Sequence, residues 1–344
     1  MPPVVRPFVV RVDVSSLEVG GVALDAMLRD ALVPGTCLVF DGEWPMSIPP
    51  SSRAALRAVP ALTLAVGPPE ELDSAFDLVV DAASVDGVVA AFGRAPIAAV
   101  SAALLLRSPR PDVDDGLNAE SATYSLLQSG PEFRAWRTAT PARPADDGDV
   151  PRVRVASTGA VTEIVLARPD RHNALDVAMR DALDAALGDA AWRSGGILVR
   201  GDGPSFSSGG DLDEFATFPD PATAHLVRLQ RSPAGRFASL HERLVVAIHG
   251  TCLGAGIELA AFADHVVAAD DARIGLPEQS IGLVPGAGGT VSIARRAGRR
   301  TVLELLLRDG TITAAQARDR GLVDEVVPLD RLRARALEIA ESLT

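Results

Sequence analysis

The sequence predicts an α/β protein with parallel strands. The alternation of its elements indicates the fold class, and its length and composition indicate the number of domains and the make-up of the cores. Short apolar runs alternate with stretches whose apolar residues recur at helical spacing, which is typical of strand–helix–strand units. The chain has 344 residues, a length that favours about two domains. It is 47% hydrophobic but only 4% aromatic, so its cores must consist largely of Ala, Val and Leu.

The predicted elements follow this alternation along the whole chain. In the first part, short buried strands are predicted at residues 37–40, 62–66 and 77–80, with helical stretches between them and beyond residue 85. In the second part, strands are predicted at residues 160–167, 195–201, 244–249 and 264–270, and helices at 176–190 and from about 257.

A segment rich in Pro, Asp and Gly, residues 140–151 (TPARPADDGDVP), has no apolar period and is typical of a domain boundary. We therefore divide the chain into an α/β unit at residues 1–143, a linker at 144–151 and a second domain at 152–344.

Composition and charge exclude several classes of protein. The formal net charge is −12, which disfavours nucleic acid and anionic membranes as partners. The sequence has neither a long apolar span nor a secretory leader pattern. Its only cysteines, Cys37 and Cys252, form neither a disulfide framework nor a spaced metal cluster. We therefore expect a cytoplasmic protein without a metal site.

Three glycine-containing segments of the second part are candidates for chemistry. Residues 206–212 (FSSGGDL) place two glycines after a strand, which lets a backbone approach a ligand closely. Residues 249–260 (HGTCLGAGIELA) form a strand end, a glycine turn and a helix start. Residues 275–290 (GLPEQSIGLVPGAGGT) contain a Pro-Glu pair at a predicted helix start but lack the lysine of a phosphate-binding Walker loop. Taken singly, each segment is equally compatible with an ordinary turn.

The order and spacing of these segments resemble the crotonase superfamily, the enoyl-CoA hydratase/isomerase family. The resemblance extends from residues 168–175 (RPDRHNAL) to residues 321–328 (GLVDEVVP). It implies a crotonase-like spiral core of repeated ββα units, an acyl-CoA substrate and no separate cofactor, since coenzyme A is part of the substrate. Relatives assemble as trimers or pairs of trimers, so we expect a homotrimer or a dimer of trimers.

The resemblance also implies site residues. Two backbone N–H groups, those of Gly210 and Ala255, correspond to the donors that stabilise the thioester oxygen; most relatives carry Gly where this chain has Ala255. Two carboxylates, Glu258 and Glu278, correspond to the catalytic pair, with Glu278 as the principal acid/base and Glu258 as the group that holds water. Two solvated glutamates at helix starts are the alternative.

Further residues are candidates for binding the substrate. The loop with Arg168, Arg171 and His172 resembles the family's adenosine-side loop, although ordinary surface charges explain these residues as well. The variable stretch that lines the acyl pocket in relatives contains the apolar residues Phe215, Phe218, Leu226 and Leu229, for which core packing is the alternative. His249 is interpreted as a structural hydrogen-bonding residue rather than a base.

The chain departs from the family pattern in its tail. Relatives continue past the last motif with several helices that cover the site, whereas only one helical stretch follows it here. Residues 95–108 and 117–144, which include Glu120 and Glu132, resemble that missing tail. We therefore predict that residues 1–143 are a degenerate crotonase-like unit whose last helices form the lid of the second domain. An unrelated small α/β domain is the alternative.

The leading functional prediction is an enoyl-CoA hydratase. The alternatives on the same fold are an enoyl-CoA isomerase and an acyl-CoA hydrolase. A protein that binds acyl-CoA without turning it over is the alternative outside enzymes.

Overall fold

A computed structural model of the chain describes residues 6–18, 21–30, 32–108, 110–143, 150–217 and 220–343. Most of the predicted linker therefore lies outside the described residues. The strands are β1 (Phe8–Asp13), β2 (Thr36–Asp41), β3 (Leu62–Val66), β4 (Leu78–Val80), β5 (Val153–Thr158), β6 (Val161–Leu166), β7 (Ile197–Gly201), β8 (Ser205–Ser207), β9 (Leu244–Ile248), β10 (Thr251–Leu253), β11 (His265–Ala269), β12 (Arg273–Gly275), β13 (Ile312–Thr313) and β14 (Glu325–Val327).

The α-helices of the first part are α1 (Gly21–Asp30), α2 (Pro50–Ala58), α3 (Val85–Phe92), α4 (Pro96–Arg107), α5 (Val113–Gln128) and α6 (Pro131–Ala139). Those of the second part are α7 (Val177–Ala191), α8 (Pro221–Gln230), α9 (Pro233–Ser239), α10 (Ala255–Ala260), α11 (Gly289–Ala297), α12 (Arg299–Leu306), α13 (Ala314–Asp319) and α14 (Leu332–Ser342).

The first part contains a four-stranded parallel sheet in the order β1-β2-β3-β4. Its central strands β2 and β3 are buried along almost their whole length, because helices and the second part cover both faces. Such continuous apolar strands are expected in a parallel sheet that is covered on both sides.

The second part contains two sheets. A six-stranded sheet has the order β14-β11-β9-β7-β6-β5, in which only β5 pairs antiparallel. A four-stranded sheet has the order β13-β12-β10-β8, with β8, β10 and β12 parallel. The three glycine-containing segments follow the carboxyl ends of these three neighbouring strands. Ligands bind at this edge in open parallel sheets, so the topology brings the predicted site together.

One hydrophobic core runs through both parts of the chain. It joins β2, β3, α4 and α5 of the first part to β6, β7, β9, α10 and α11 of the second. The contact between α5 and α11 is especially close, since a Cβ atom on Gly116 would lie 2.7 Å from Val291 Cγ2. The first part is therefore packed as an integral half of the molecule.

The predicted lid helices α5 and α6 lie on the second part beside the carboxyl ends of β8, β10 and β12. The ring of Tyr124 in α5 packs against the ring of Phe215, with centroids 6.4 Å apart. In the loop after β12, the buried side chain of Gln279 donates to the carbonyl oxygens of Ala91 and Ala95, each at 3.1 Å. The first contact places α5 over the loops that follow the sheet, and the second joins these loops to the turn between α3 and α4.

Most predicted elements are confirmed, but the edge strands β1 and β5 were not predicted. Both are largely exposed along their length, so neither has the continuous apolar run of a buried parallel strand. The helix expected from about residue 257 begins at Ala255. Within the described part of the chain, no single helix is long and apolar enough to span a membrane; the bent pair α3 and α4 reaches that length only when the two are joined.

A buried ion pair joins α4 to the sheet of the first part. The guanidinium of Arg107 donates to both carboxylate oxygens of Asp77, through Nε at 2.8 Å and through Nη2, and to the carbonyl oxygens of Val59 and Ala61 at 2.6 Å. The Asp77 carboxylate also accepts from the amide and hydroxyl of Thr63. Every group in this network is satisfied, so its loss would leave a charge buried without compensation.

Replacing Asp77 with alanine should therefore lower the free energy of unfolding by about 3–5 kcal/mol, because Arg107 stays buried without its counter-ion. Asp25→Ala, which removes the exposed partner of Arg29 one helical turn away, is the matched control and should cost less than about 1 kcal/mol. Urea denaturation of both variants measures the difference; equal losses would contradict the role assigned to the buried pair.

Candidate active site

The first loop of the site follows β8 and is held by hydrogen bonds that leave one amide free. Ser207 Oγ donates to the carbonyl of Asn173 at 2.8 Å and accepts from the Gly209 amide at 3.1 Å. On either side, the Leu175 amide donates to the Gly209 carbonyl and the Asp211 amide donates to the Leu175 carbonyl. The Gly210 N–H between them has no acceptor among the described residues.

The second loop follows β10 and turns directly into α10. Gly254 has φ +48° and ψ −124°, a conformation open essentially only to glycine. The next amide, that of Ala255, is the first of the helix and has no acceptor in the described part of the chain. The two loops lie side by side, because a Cβ atom on Gly209 would be only 3.5 Å from the Ala255 nitrogen.

The two predicted catalytic carboxyl groups meet beside these loops. Both Glu258 and Glu278 are buried, and their side chains are within hydrogen-bonding contact of each other. Glu258 Oε2 accepts from the amides of Ala287 and Gly289, at 2.7 and 2.9 Å. Glu278 Oε2 has no partner among the described residues, and its Oε1 would lie 2.3 Å from a Cβ on Gly254.

A third buried carboxyl group, that of Glu120 in α5, reaches the same segment from the lid. Its oxygens accept from the Gly288 amide at 2.6 Å, from the Thr290 amide at 2.8 Å and from the Thr290 hydroxyl at 2.6 Å. Glu120 and Glu258 thus take alternate amides of residues 287–290. From the sequence, Glu120 is placed only in the tail-like region. Its hydrogen-bond partners Gly288 and Thr290 lie far away in the chain, so no local pattern indicates its contact with the site.

Burial raises the pKa of all three carboxyl groups. It raises the pKa of Glu120 to about 8, with the neighbouring Glu258 adding to the shift. It raises the pKa of Glu258 to about 7, although the surrounding amides and Glu278 oppose the shift. The pKa of Glu278 lies well above its ordinary value, through burial and the charge of Glu258. The site therefore favours Glu258 ionised while Glu278 retains its proton, because several amides donate to Glu258, whereas the charge of Glu258 adds to the raised pKa of Glu278.

These groups line one cavity of about 650 Å³ that both parts of the chain enclose. The loops contribute Gly210, Ala255 and the two glutamates, whereas α5 and α6 contribute aromatic and basic side chains that include Tyr124. Burial raises the pKa of Tyr124, so its hydroxyl stays protonated. A protonated and an ionised carboxyl group beside two free amides can exchange protons with a bound water or substrate.

Residues of the lid and of α8 that the sequence did not predict as functional line the cavity. The Arg228 guanidinium lies 4.6 Å from the centre of the Tyr124 ring. It donates to the hydroxyls of Ser121 and Ser125. Tyr124 is the only tyrosine in the chain, but its position in the sequence does not indicate that it lines the cavity beside the loops of Gly210 and Ala255.

The loop that resembles the adenosine-side loop differs in part from its prediction. Arg168 is largely buried and pairs with Asp211 at 2.6 Å and with Asp176 at 3.4 Å. These ion pairs give Arg168 a structural role, and a contact with coenzyme A stays a prediction. Arg171 remains partly exposed, and exposed His172 lies with Nδ1 2.9 Å from Ser205 Oγ. Neither lines the cavity described above, so coenzyme binding by these two stays a prediction.

The predicted acyl-pocket residues differ in where the structure places them. Phe215 lines the cavity, as expected. Phe218 lies outside the described residues. Leu226 and Leu229 are 58% and 39% exposed and do not line the cavity, so their place in an acyl pocket stays a prediction. They occupy the outer face of α8, whereas Arg228 on the other face reaches inward.

His249 lies where a structural hydrogen-bonding residue was predicted, outside the lining of the cavity. Its Nε2 atom is 2.9 Å from the carbonyl oxygen of Gly203. This contact joins the end of β9 to the turn before β8.

Comparison with known proteins identifies the second part. Residues 156–344 match the model of the enoyl-CoA hydratase/isomerase family. The 2,3-dehydroadipyl-CoA hydratase of Escherichia coli is 36% identical over 184 residues, which are 52% of this chain and 71% of that protein. A probable enoyl-CoA hydratase of Rhizobium meliloti is 34% identical over 193 residues, covering 55% and 74% of the two chains.

A solved structure agrees with these sequence similarities. The crystal structure of an enoyl-CoA hydratase from Bacillus anthracis superposes with a TM-score of 0.52 at 32% identity, covering 56% of this chain and 76% of that one. The predicted crotonase-like fold is thereby confirmed.

Replacing Gly254 with alanine should disrupt the site as well as the backbone. The new Cβ would impose strain at positive φ, which costs about 1–3 kcal/mol, and would collide with Glu278 at 2.3 Å. Gly310→Ala is the matched control, since it has φ +79° but open space around it. Thermal unfolding should show a larger loss for the first variant; equal losses would mean that Glu278 moves away freely.

Stability should fall as the pH rises, because Glu120 binds its proton more tightly in the folded chain. Its contribution is complete below the ordinary glutamate pKa of 4.5 and is lost as the pH rises through about 8. In Glu120→Gln, the free energy of unfolding should therefore decline less between pH 4.5 and about 8 than in the unmodified chain. Urea denaturation across this range measures the slope, with the exposed Glu338→Gln as control. An unchanged slope in Glu120→Gln would argue against a raised pKa.

Proposed function

The chain belongs to the enoyl-CoA hydratase/isomerase family, and we propose that it is a hydratase that adds water across the 2,3 double bond of an enoyl-CoA thioester. The observation that carries this proposal is the contact between the buried carboxyl groups of Glu258 and Glu278, in one cavity with the free amides of Gly210 and Ala255. A reaction that needs only one acid/base group would not require Glu258 in addition to Glu278.

The two amides supply stabilisation of negative charge. When a nucleophile adds to the conjugated system, charge accumulates on the thioester oxygen, and preorganised donors stabilise that charge more than the ground-state carbonyl. One such donor is worth about 3–4 kcal/mol of barrier in a comparable site. We assign this role to the N–H groups of Gly210 and Ala255, which have no other acceptor among the described residues.

The two carboxyl groups divide the proton transfers. Ionised Glu258 orients a water molecule and accepts one of its protons while the water oxygen bonds to Cβ of the substrate. Glu278 gives its proton to Cα, which completes the addition. Proton transfer from Glu258 back to Glu278 then restores the starting state, and their hydrogen-bonding contact provides the path. The unequal amide contacts of the two groups support this division.

The alternative reactions use the same amides but make different demands on the two carboxyl groups and on the bound water. Isomerisation of a 3-enoyl thioester requires one acid/base to move a proton, so Glu258 would have no necessary part. Hydrolysis would direct the water to the thioester carbon instead of Cβ. A silent binding protein is disfavoured because binding alone does not need the two carboxyl groups that line the cavity, Glu258 and Glu278.

The remaining expectations stand as proposals. We propose a homotrimer or a dimer of trimers, a cytoplasmic location and no cofactor beyond the coenzyme A of the substrate. We also propose the division at residues 144–151 and a degenerate crotonase-like origin for residues 1–143. The separate four-stranded sheet supports that division, and the order β4-α3, like β14-α14, supports the proposed origin.

An absorbance assay distinguishes the candidate reactions. Hydration of a short 2-enoyl-CoA removes the absorbance of the conjugated thioester without releasing thiol. Hydrolysis releases thiol, and isomerisation creates conjugation from a 3-enoyl-CoA. Thiol release, or gain of conjugation without hydration, would overturn the hydratase proposal.

Glu278→Gln and Glu258→Gln should each lower kcat by about 10²–10⁴-fold, the usual contribution of a positioned acid or base. The surface variant Glu325→Gln, which loses a partly exposed ion pair with Arg335, is the control and should retain full turnover. Circular dichroism verifies folding. Normal turnover in Glu278→Gln would refute its role as the proton donor.

A further inference from the structure

A second cavity, of about 460 Å³, lies between the two parts of the chain, on the far side of the contact between α5 and α11. Helices α2 and α4 and the 3-10 turn of Glu70–Ala75 form one wall, and helices α11 and α12 form the other. Gly116 of α5 and Thr290 of α11 also belong to its lining. The two cavities share no lining residue.

This cavity is basic, although the chain as a whole carries a net charge of −12. No acidic side chain among the described residues lines it. Five arginines line it, namely Arg57, Arg107, Arg110, Arg295 and Arg299. Elsewhere in the molecule, arginines commonly lie against carboxylates, as Arg200 and Arg333 do against Glu163.

Asp77, the carboxylate that faces Arg107 and Arg299, is already engaged. Both of its carboxylate oxygens accept from Arg107, and one also accepts from Thr63. Arg299 comes only to 3.8 Å of this carboxylate and instead donates to the carbonyl oxygens of Ser74 and Phe76. One carboxylate therefore faces two partly or fully buried guanidinium groups.

The other three arginines have no carboxylate partner in the described part of the chain. Arg110 donates to the Ser108 carbonyl at 3.2 Å, and Arg295 donates to the Pro111 carbonyl. For the guanidinium of Arg57, no acceptor is found among the described residues. Burial lowers the pKa of Arg299, and the neighbouring Arg107, Arg300 and Arg57 lower it further. Positive charge is thus concentrated in a concave site, where an anion would relieve the repulsion.

We propose that this cavity binds a small molecule that carries a phosphate or pyrophosphate group. Guanidinium forks match phosphate oxygens in paired hydrogen bonds, and the exposed Arg57 and Arg110 retain donors for them. Leu105, Leu106 and Val291 provide an apolar wall for the rest of the ligand. The volume lies within the range of small-molecule sites, which is about 300–1,000 Å³. The phosphate belongs either to the coenzyme A of the substrate or to a separate phosphorylated metabolite.

Calorimetric titration of the full chain with pyrophosphate and with ADP tests this proposal at constant ionic strength. Saturable binding is expected, and the double variant Arg57→Gln/Arg110→Gln should bind at least about tenfold more weakly, because each lost charge-assisted bond weakens binding. Arg318→Gln, an exposed arginine outside the cavity, is the matched control and should bind as the unmodified chain does. Thermal unfolding verifies that the variants fold.

Absence of saturable binding, or equal binding by the double variant, would overturn the proposal. Two further measurements identify the source of the phosphate. Competition between pyrophosphate and coenzyme A, with weaker coenzyme A binding by the double variant, assigns the site to the coenzyme. Undiminished pyrophosphate binding in saturating coenzyme A assigns it to a separate metabolite. These measurements need no turnover, so they remain decisive even if the chain is not a hydratase.

Discussion

The structure depends on how the segment at residues 287–290 is held. Its consecutive amides alternate between two buried carboxyl groups, with two donated to Glu258 and two to Glu120. Glu258 comes from the loop that builds the site and Glu120 from the lid, so the same few residues join both parts of the chain. Three carboxyl groups can be buried here because amides and a hydroxyl donate to two of them, and because burial raises the pKa of all three.

The topology explains why sequence motifs located the candidate site well. The three glycine-containing segments follow β8, β10 and β12, which are neighbouring parallel strands. Their carboxyl ends therefore meet at one edge of a sheet regardless of the residues between them. Local patterns, namely apolar runs followed by glycine and glutamate, carried this information. The same patterns identified the buried strands, since a parallel strand covered on both faces is continuously apolar.

Properties that depend on distant partners could not be predicted in this way. Arg168 is charged and follows a strand, as a phosphate ligand would, but its ion pairs with Asp176 and Asp211 only exist in the folded chain. Leu226 has the right chemistry for an acyl pocket, but the rotation of α8 exposes it. Both placements have one cause: sequence gives residue type and spacing, whereas the direction of a side chain is set by packing against other elements.

The position of α5 between the two parts of the chain has a structural consequence of its own. The lid helix α5 comes from the first part and lines both cavities, through Tyr124 at the cavity of the acid pair and through Gly116 at the basic cavity. Thr290 lies in that wall, where it donates to Glu120 and also lines the basic cavity. The close approach at Gly116 leaves no room for a side chain between the helices. A shift of α5 against α11 must therefore disturb the contacts of Glu120 with Gly288 and Thr290 and the shape of the basic cavity together. The lid is consequently a shared wall of two cavities, and not only a cover for one.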